Sequence, residues 1–286
     1  MFKVEVCATS ANLSVGFDVL GIALDLKNTF YFEKSDDFKF IGFDTKYSTK
    51  ENNMVYNSYI KVFEILKLKP IPVSIKYEGE VPISRGLGSS STLIVAGVMG
   101  ANHILNDRLS IDECFNISAK IEGHPDNVAP AIYGGLIASI KENDKYIPIK
   151  YDVSSSLQFT IIVPEFELKT SLARSVLPSK LPYSDIVFNT SRIIHIPLAF
   201  SSGDIKLLKV LFNDKLHEPY RAPLIKGYDR LREIVKEDLN AASAISGSGS
   251  TMLVIHNKYF NTDKLKELGY NYQTLHQGSK VIVEEL

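Results

Sequence analysis

The chain has 286 residues, of which 45% are hydrophobic and 23% charged, and its formal net charge is −1. This composition suits one two-lobed enzyme or two modest domains. The balanced charge, without a long basic run, argues against nucleic acid or an anionic membrane as the main partner. Cys7 and Cys114 lack metal-ligand spacing, and the sequence has neither a secretory leader pattern nor a long apolar span. We therefore expect a cytoplasmic protein.

The first third of the chain predicts a mixed or antiparallel sheet with one helix. Alternating apolar residues predict strands at residues 2–6, 19–25, 29–33, 38–43 and 73–77. Val55, Tyr59 and Val62 recur at helical spacing and predict a helix that ends near residue 68. In the polar loop after the first strand, Asn12 and Asp18 could converge on a small polar ligand or simply cap backbone N–H groups.

A glycine- and serine-rich stretch, VPISRGLGSSST at residues 81–92, follows these strands. Gly86 and Gly88 permit positive φ and a close approach of backbone amides to an anion, and Ser89 to Thr92 open an apolar helix whose positive end would face that anion. The stretch lacks the lysine of a Walker A loop and the third glycine of a dinucleotide loop. A bound triphosphate would therefore need backbone amides, the helix dipole and a metal ion. The alternative is an ordinary turn that caps a helix.

A second polar segment, HPDNVAP at residues 124–130, follows a helix that we predict over residues 111–122. Ser110 and Glu113 have capping-box spacing, and Gly123 ends the helix. The segment concentrates His124, Asp126 and Asn127 between two prolines, which favours a rigid site, although either Asp126 or Asn127 could instead cap the next turn. Glu122 is a candidate Mg²⁺ ligand or a solvated charge.

The second half predicts a smaller α+β lobe. We predict a hairpin over residues 136–149, a boundary near residues 154–156, a strand over 159–163 and a short helix capped by Thr170. A helix over 185–200 with a kink at Pro197, a second glycine-serine loop at 244–251, a strand at 252–255, a helix near Lys264 and two final strands follow. Arg174 and Arg221 together could clamp a carboxylate, whereas each one alone would be a surface ion-pair partner.

Three separated stretches, residues 9–21, 82–91 and 245–251, resemble motifs one, two and three of the GHMP small-molecule kinases. SANLSVGFDVLG and EGHPDNVAPAIYGG are similar to the homoserine kinases of that superfamily and less to mevalonate or galactose kinases. The resemblance implies a two-lobed α+β fold. It consists of a domain like the second domain of ribosomal protein S5 over residues 1–153 and a ferredoxin-like domain over 154–286.

The resemblance also implies an activity. The expected reaction is ATP-dependent phosphorylation of the L-homoserine side-chain hydroxyl to O-phospho-L-homoserine in threonine biosynthesis, with Mg²⁺ accompanying ATP. The implied partners are ATP and L-homoserine, with a homodimer as a candidate assembly. The alternatives are another GHMP kinase of mevalonate or sugar type, or a nucleotide-binding regulator without turnover. The intact glycines and serines of both loops count against the regulator.

The resemblance assigns residues to each role. The ATP-binding set is Pro82, Ile83, Ser84, Arg85, Gly86, Leu87, Gly88, Ser89, Ser90, Ser91, Gly247, Ser248 and Gly249. The substrate-binding set is Asn12, Asp18, His124, Asp126, Asn127, Thr170, Arg174 and Arg221, with Asp18 for the amino group and the arginines for the carboxylate. Ser90 and Glu122 are the implied Mg²⁺ ligands.

The catalytic residues implied are Asn127, Asp126 and Ser90. Asn127 stands where base-using members of the superfamily have an aspartate, and an amide cannot accept a proton at neutral pH. The sequence departs from the usual motif one at Cys7 and Ser14, where proline and glycine are commoner. Both replacements are small, so we expect the loop to keep its shape.

Overall fold

The computed structural model covers residues 1–286 and contains two antiparallel-rich sheets with helices packed against them. The strands are β1 (Phe2–Ala11), β2 (Leu20–Lys34), β3 (Lys39–Ile41), β4 (Val73–Gly79), β5 (Leu136–Glu142), β6 (Lys145–Tyr151), β7 (Gln158–Val163), β8 (Ala241–Ile245), β9 (Met252–His256), β10 (Asn271–Leu275) and β11 (Ile282–Glu285). The helices are α1 (Met54–Leu66), α2 (Ser89–Ile104), α3 (Ile111–Glu122), α4 (Val128–Tyr133), α5 (Thr170–Ser175), α6 (Tyr183–Ile193), α7 (Ile196–Ser202), α8 (Ile205–Leu211), α9 (Glu218–Arg221) and α10 (Tyr228–Glu237).

The first sheet has seven strands, with β1 and β2 at its centre. Its order is β11-β1-β2-β4-β3, and β5 and β6 extend it from the other end of β2. The two strands predicted at 19–25 and 29–33 are one continuous strand, β2. The prediction separated them because the register of β1 against β2 shifts between Cys7 and Ala8, leaving Asp25 and Leu26 without partners in a bulge that interrupts the alternation.

Helices α1 to α4 cover the first sheet around a large aromatic core. Phe30, Phe32, Tyr59, Phe63 and Phe115 are fully buried in it. The predicted helix at 111–122 is confirmed, and Ser110 and Glu113 form the capping box in both directions. Burying five aromatic side chains supplies a large hydrophobic contribution to this lobe.

The second sheet has the strand order β10-β7-β9-β8, which is the 4-1-3-2 order of a ferredoxin-like domain when its strands are counted along the chain. The C-terminal strand β11 nevertheless pairs with β1 in the first sheet. Both lobes also share one hydrophobic cluster, in which Leu13 and Leu20 pack in the same core as Phe159 and Phe200. A shared core holds the two lobes at a fixed separation and thereby shapes the cleft between them.

Several predicted boundaries are wrong, each for a local reason. The helix predicted over 185–200 is two helices, α6 and α7, because Pro197 occupies the second position of a new helix, where it needs no N–H partner. Lys169, not Thr170, is the N-cap of α5, and Thr170 is its first residue. The segment near Lys264 is a 3₁₀ helix, Thr262–Leu268.

The predicted hairpin at 136–149 is confirmed as β5 and β6. None of the helices combines the length and the apolar character needed to cross a bilayer.

Candidate active site

A cleft of about 580 Å³ lies between the two lobes and is lined by both. The first lobe contributes the β1–β2 loop, the phosphate loop (residues 82–88), the start of α2 and the loop after α3. The second lobe contributes α5, the end of α9 and the β8–β9 loop. Residues from all three resembled motifs therefore meet at one cavity.

The phosphate loop ends in a helix start that has no side-chain cap. Gly88 is the N-cap of α2 with φ +66°, and no side chain accepts from the first-turn amides there. These amides have no partner inside the helix, and at the positive end of the helix dipole they suit an anion. A Cβ on Gly88 would lie 1.9 Å from Thr9 Oγ1, so only glycine fits this position.

The second glycine-serine loop supports the first. Ser246 Oγ donates to Gly86 O at 2.6 Å, and the backbone N–H of Thr251 donates to Arg85 O at 3.0 Å. A Cβ on Gly86 would lie 2.3 Å from Ser246 O. The close packing of these two loops explains why both carry glycine.

Most of the predicted ATP-binding residues line the cleft, and a few lie behind it. The residues at the cleft surface are Pro82, Ile83, Ser84, Arg85, Gly86, Gly88, Ser89, Ser90, Gly247 and Ser248. Leu87 is a fully buried core residue, and Ser91 and Gly249 are buried outside the cleft lining. The side chains of Leu87 and Ser91 therefore face the protein interior.

Ser90 and Glu122, the two predicted metal ligands, are in direct contact. Ser90 Oγ donates to Glu122 Oε1 at 2.6 Å, and Ser91 Oγ donates to the same oxygen at 3.1 Å. The structure contains no group of three or more His, Cys, Asp or Glu side chains arranged to hold a metal. Two protein oxygens next to a phosphate loop still fit Mg²⁺, which takes most of its ligands from phosphate and water.

Charged side chains occupy the opposite part of the cleft. Arg174 makes a two-pronged ion pair with Asp18, at 3.0 Å and 2.8 Å. Arg221 is buried and donates to Ala173 O and Gly247 O. Burial and the nearby charge of Arg174 lower the pKa of Arg221, although Asp18, Asp126 and Asp214 oppose this.

Phe17 lies close to both of these arginines and was missed by the sequence analysis. Its ring centroid is 5.8 Å from the guanidinium carbon of Arg174 and 5.1 Å from that of Arg221, within cation–π range. Nothing in the local sequence marks Phe17, because the two arginines are distant in the chain. Arg174 and Arg221 both line the cleft.

The segment after α3 places His124, Asp126 and Asn127 in the cleft lining. Asp126 is buried and accepts hydrogen bonds from His124 Nδ1 at 2.6 Å and from the Asn127 backbone N–H at 3.0 Å. Burial opposes ionisation of His124, but the hydrogen bond and charge of Asp126 outweigh it and raise the pKa of the imidazole. The Asp126 carboxylate is therefore paired with the His124 imidazole and hydrogen-bonded to the backbone.

The β1–β2 loop has an unusual backbone. Asn12, Leu13 and Ser14 have φ of +70°, +41° and +62°, a left-handed run that non-glycine residues seldom adopt. Asn12 stabilises it, since its Nδ2 donates to Gly247 O at 2.7 Å and its Oδ1 accepts from the Asp18 backbone N–H. The side chain of Asn12 thus performs the backbone-capping role that the sequence left as an alternative, although Asn12 also lines the cleft.

Further cleft residues were not identified from the sequence. At the far end these are Phe43, Asp44, Tyr47, Asn52, Met54 and Tyr77. Tyr77 lies in β4, Met54 begins α1 and Tyr47 ends a 3₁₀ helix, Thr45–Tyr47. The other three lie in irregular segments, so no shared local signal marks the set. From the second lobe, Lys169 adds a cation beside Thr170, whose Oγ1 is 3.3 Å from Ser248 Oγ. A basic residue next to Thr170 was a signal that could have been used.

Comparison with known proteins agrees with this geometry. Residues 53–135 match the family model described as GHMP kinases N terminal domain. Over 262 residues the chain is 40% identical to a homoserine kinase of Clostridium acetobutylicum, with 89% of this chain and 87% of that protein covered. The chain belongs to the homoserine kinase family. A homoserine kinase of Clostridium beijerinckii is also 40% identical, over 272 residues, with 93% of this chain and 91% of that protein covered.

The fold comparison extends over nearly the whole chain. The crystal structure of a homoserine kinase from Cytophaga hutchinsonii superposes with a TM-score of 0.87 at 27% identity, covering 99% of this chain and 96% of that one. The predicted GHMP kinase fold is confirmed. In this homoserine kinase family member, Ser14 takes a left-handed conformation, φ +62°, where the motif usually has glycine, and this costs backbone strain.

Proposed function

We propose that the chain transfers the γ-phosphoryl group of ATP to the side-chain hydroxyl of L-homoserine, giving O-phospho-L-homoserine for threonine biosynthesis. The observation that carries the proposal is one cleft with an uncapped helix start at one side and the Asp18, Arg174 and Arg221 charges at the other. The names of the relatives support the choice of homoserine.

In this proposal the phosphates of ATP lie on the backbone amides of the phosphate loop and the start of α2. The cleft supplies further cations from Arg85 and Lys169. Ser90 and Glu122 would hold Mg²⁺, and that ion, when bound, neutralises charge on the phosphate oxygens. The short contact between Ser90 and Glu122 supports this pairing, because both oxygens already face the same point.

The amino acid would be bound through its two charges. With no substrate, Asp18 and Arg174 neutralise each other. A zwitterion can replace that single pair with two, since its ammonium group suits Asp18 and its carboxylate suits Arg174 and Arg221. Arg221 is already buried and held by backbone carbonyls, so it loses little conformational freedom on binding.

The hydroxyl would be positioned by Asn127 without a strong base. Asp126 is adjacent, but its carboxylate is engaged by His124 and by a backbone N–H. Phosphoryl transfer through a loose transition state needs little prior deprotonation of the nucleophile. Asp126→Asn should therefore retain measurable kcat, whereas Asn127→Ala should lower kcat more. A carboxylate-controlled basic limb in the pH profile of kcat, lost together with activity in Asp126→Asn, would identify Asp126 as a base.

A coupled ADP-release assay tests the proposal directly. The purified chain is supplied with ATP and Mg²⁺ and offered homoserine, mevalonate and a panel of sugars. Among these acceptors we expect turnover only with homoserine. We also expect no turnover when homoserine lactone or 1,4-butanediol replaces homoserine. Turnover with mevalonate or a sugar would assign another GHMP activity. ATP binding without turnover on any acceptor would indicate a regulator.

Two further expectations belong to the proposal. Both cysteines are free and buried, which supports a reducing, cytoplasmic location. Helices α6 and α7 and the turn between them expose Tyr183, Val187, Ile194 and Leu198, and exposed apolar side chains of this size support a homodimer. Sedimentation analysis of the wild type and of Tyr183→Glu with Val187→Glu would test the homodimer, because the paired substitution should yield a monomer if these helices form the interface.

A further inference from the structure

We infer that Thr9 is a positioning residue that fixes which end of the Asn127 side-chain amide faces the substrate. The inference rests on the proposed phosphoryl transfer. Thr9 Oγ1 donates to Asn127 Oδ1 at 2.8 Å, although the two residues are far apart in the sequence. Thr9 is fully buried in β1, whereas Asn127 is only partly buried and lines the cleft.

The hydrogen bond determines the orientation of an otherwise ambiguous group. The two ends of an amide have nearly the same shape but opposite chemistry, because the oxygen accepts and the nitrogen donates. A buried hydroxyl must place its proton on an acceptor, and the Thr9 hydroxyl places its proton on Asn127 Oδ1. With Asn127 Oδ1 bound to Thr9, the Nδ2 end is left to face the cleft that Asn127 lines.

The direction of the amide matters for the reaction. An N–H donor facing the cleft can hold the acceptor hydroxyl through its lone pair and stabilise charge on a transferring phosphoryl oxygen. An amide oxygen in the same place would instead accept from the hydroxyl and would repel phosphoryl oxygens. Thr9 therefore selects the productive orientation without touching either substrate.

Thr9 also connects the phosphate loop to the segment that carries Asn127. Its backbone N–H donates to Leu87 O at 3.1 Å, and a Cβ on Gly88 would lie 1.9 Å from Thr9 Oγ1 and 3.1 Å from Asn127 Oδ1. The Thr9–Asn127 pair thus packs directly behind Gly88. The position of Asn127 is set by the same contacts that shape the phosphate loop.

The test compares Thr9→Val, which keeps the shape but removes the hydroxyl, with Thr9→Ser, which keeps the hydroxyl. For Thr9→Val we expect kcat with homoserine to fall by about tenfold to a hundredfold and the KM for ATP to change by less than about threefold, since orientation is lost but binding is kept. Thr9→Ser should stay within about threefold of wild type. Thr160→Val is the control, because Thr160 is an equally buried, hydrogen-bonded threonine in the second sheet, outside the cleft.

A double-mutant cycle separates positioning from general damage. If Thr9 acts through Asn127, then Thr9→Val should lower kcat no further once Asn127→Ala is present. An equal loss in both backgrounds, a kcat for Thr9→Val within threefold of wild type, or a Thr9→Ser as slow as Thr9→Val would each overturn the inference. Should Thr9→Val fail to fold, Thr9→Ala is used in the same cycle. Wild-type turnover of homoserine in the same assay tests the proposed function separately.

Discussion

The two sides of the cleft are built in different ways. The proposed phosphate side is a continuous segment, residues 82–91, in which backbone amides and hydroxyls lie at a helix start. The proposed substrate side is assembled from four distant segments and carries charged side chains such as Asp18, Arg174 and Arg221. A site made of backbone amides depends on small residues at fixed positions in the sequence. A site made of charged side chains from distant segments depends on how the chain folds. The two sides should therefore respond differently to substitution.

The largest expected effect is on the phosphate side. Gly88→Val should reduce turnover by more than about a hundredfold, because a Cβ at this position would meet Thr9 Oγ1 at 1.9 Å and displace the loop. Gly269→Val is the matched control, since Gly269 also has positive φ, at +71°, but has open space around its Cα. Steady-state kcat and ATP binding by calorimetry measure both variants. Equal activity in the two would mean that the backbone cradle is not essential.

On the substrate side the expected change is in affinity. Arg221→Leu should raise the KM for homoserine by the equivalent of roughly 2–5 kcal/mol, because it removes a buried charge-assisted contact. The KM for ATP should change little. Arg230→Leu is the control, because Arg230 is an exposed arginine paired with Glu233 and Glu267. An unchanged KM for homoserine in Arg221→Leu would remove this residue from the substrate side.

A smaller effect on kcat should distinguish the adjacent residues Ser90 and Ser91. Ser90→Ala should lower kcat by about a hundredfold at limiting Mg²⁺, the scale for loss of one charge-stabilising group. Ser91→Ala removes a hydroxyl that bonds the same Glu122 oxygen but lies outside the cleft, so its activity should stay close to wild type. Titrating Mg²⁺ against kcat for both variants checks the assignment. Identical Mg²⁺ dependence would exclude Ser90 as a ligand.

The last effect concerns the pH dependence of the free energy of unfolding, through the buried residue Glu218. Burial raises the pKa of Glu218 to about 7, although the backbone N–H of Ile245 opposes this by donating to its carboxylate. Between about pH 4.5 and about pH 7 the folded state therefore holds a proton that the unfolded state has lost. The contribution of Glu218 to the free energy of unfolding should fall by about 3 kcal/mol across that range.

Comparing Glu218→Gln with wild type isolates this contribution. Burial lowers the pKa of His217, which therefore gives the opposite pH slope, but His217 is present in both proteins and cancels in the difference. We expect urea titrations to show the variant gaining stability relative to wild type between pH 5 and pH 8. A difference that does not vary with pH would mean that Glu218 stays ionised in the folded protein.

Local patterns predicted the phosphate side well. Gly86, Gly88 and the following serines could be read directly, because a left-handed turn and a helix start require particular residues at adjacent positions. The capping box of α3 and the β5–β6 hairpin were predicted for the same reason. The family resemblance supplied the two-lobed fold and the roles of Arg174 and Arg221, neither of which periodicity could give.

Only the tertiary structure determines the contacts between residues that are distant in the sequence. The Asp18–Arg174 ion pair, the contacts of Phe17 with two arginines and the Thr9–Asn127 hydrogen bond join residues that no local pattern relates. The return of β11 to the first sheet and the shared core of the two lobes are likewise settled by packing. Local sequence fixes backbone conformation through sterics and short-range hydrogen bonds, but which side chains meet depends on how the whole hydrophobic core is buried.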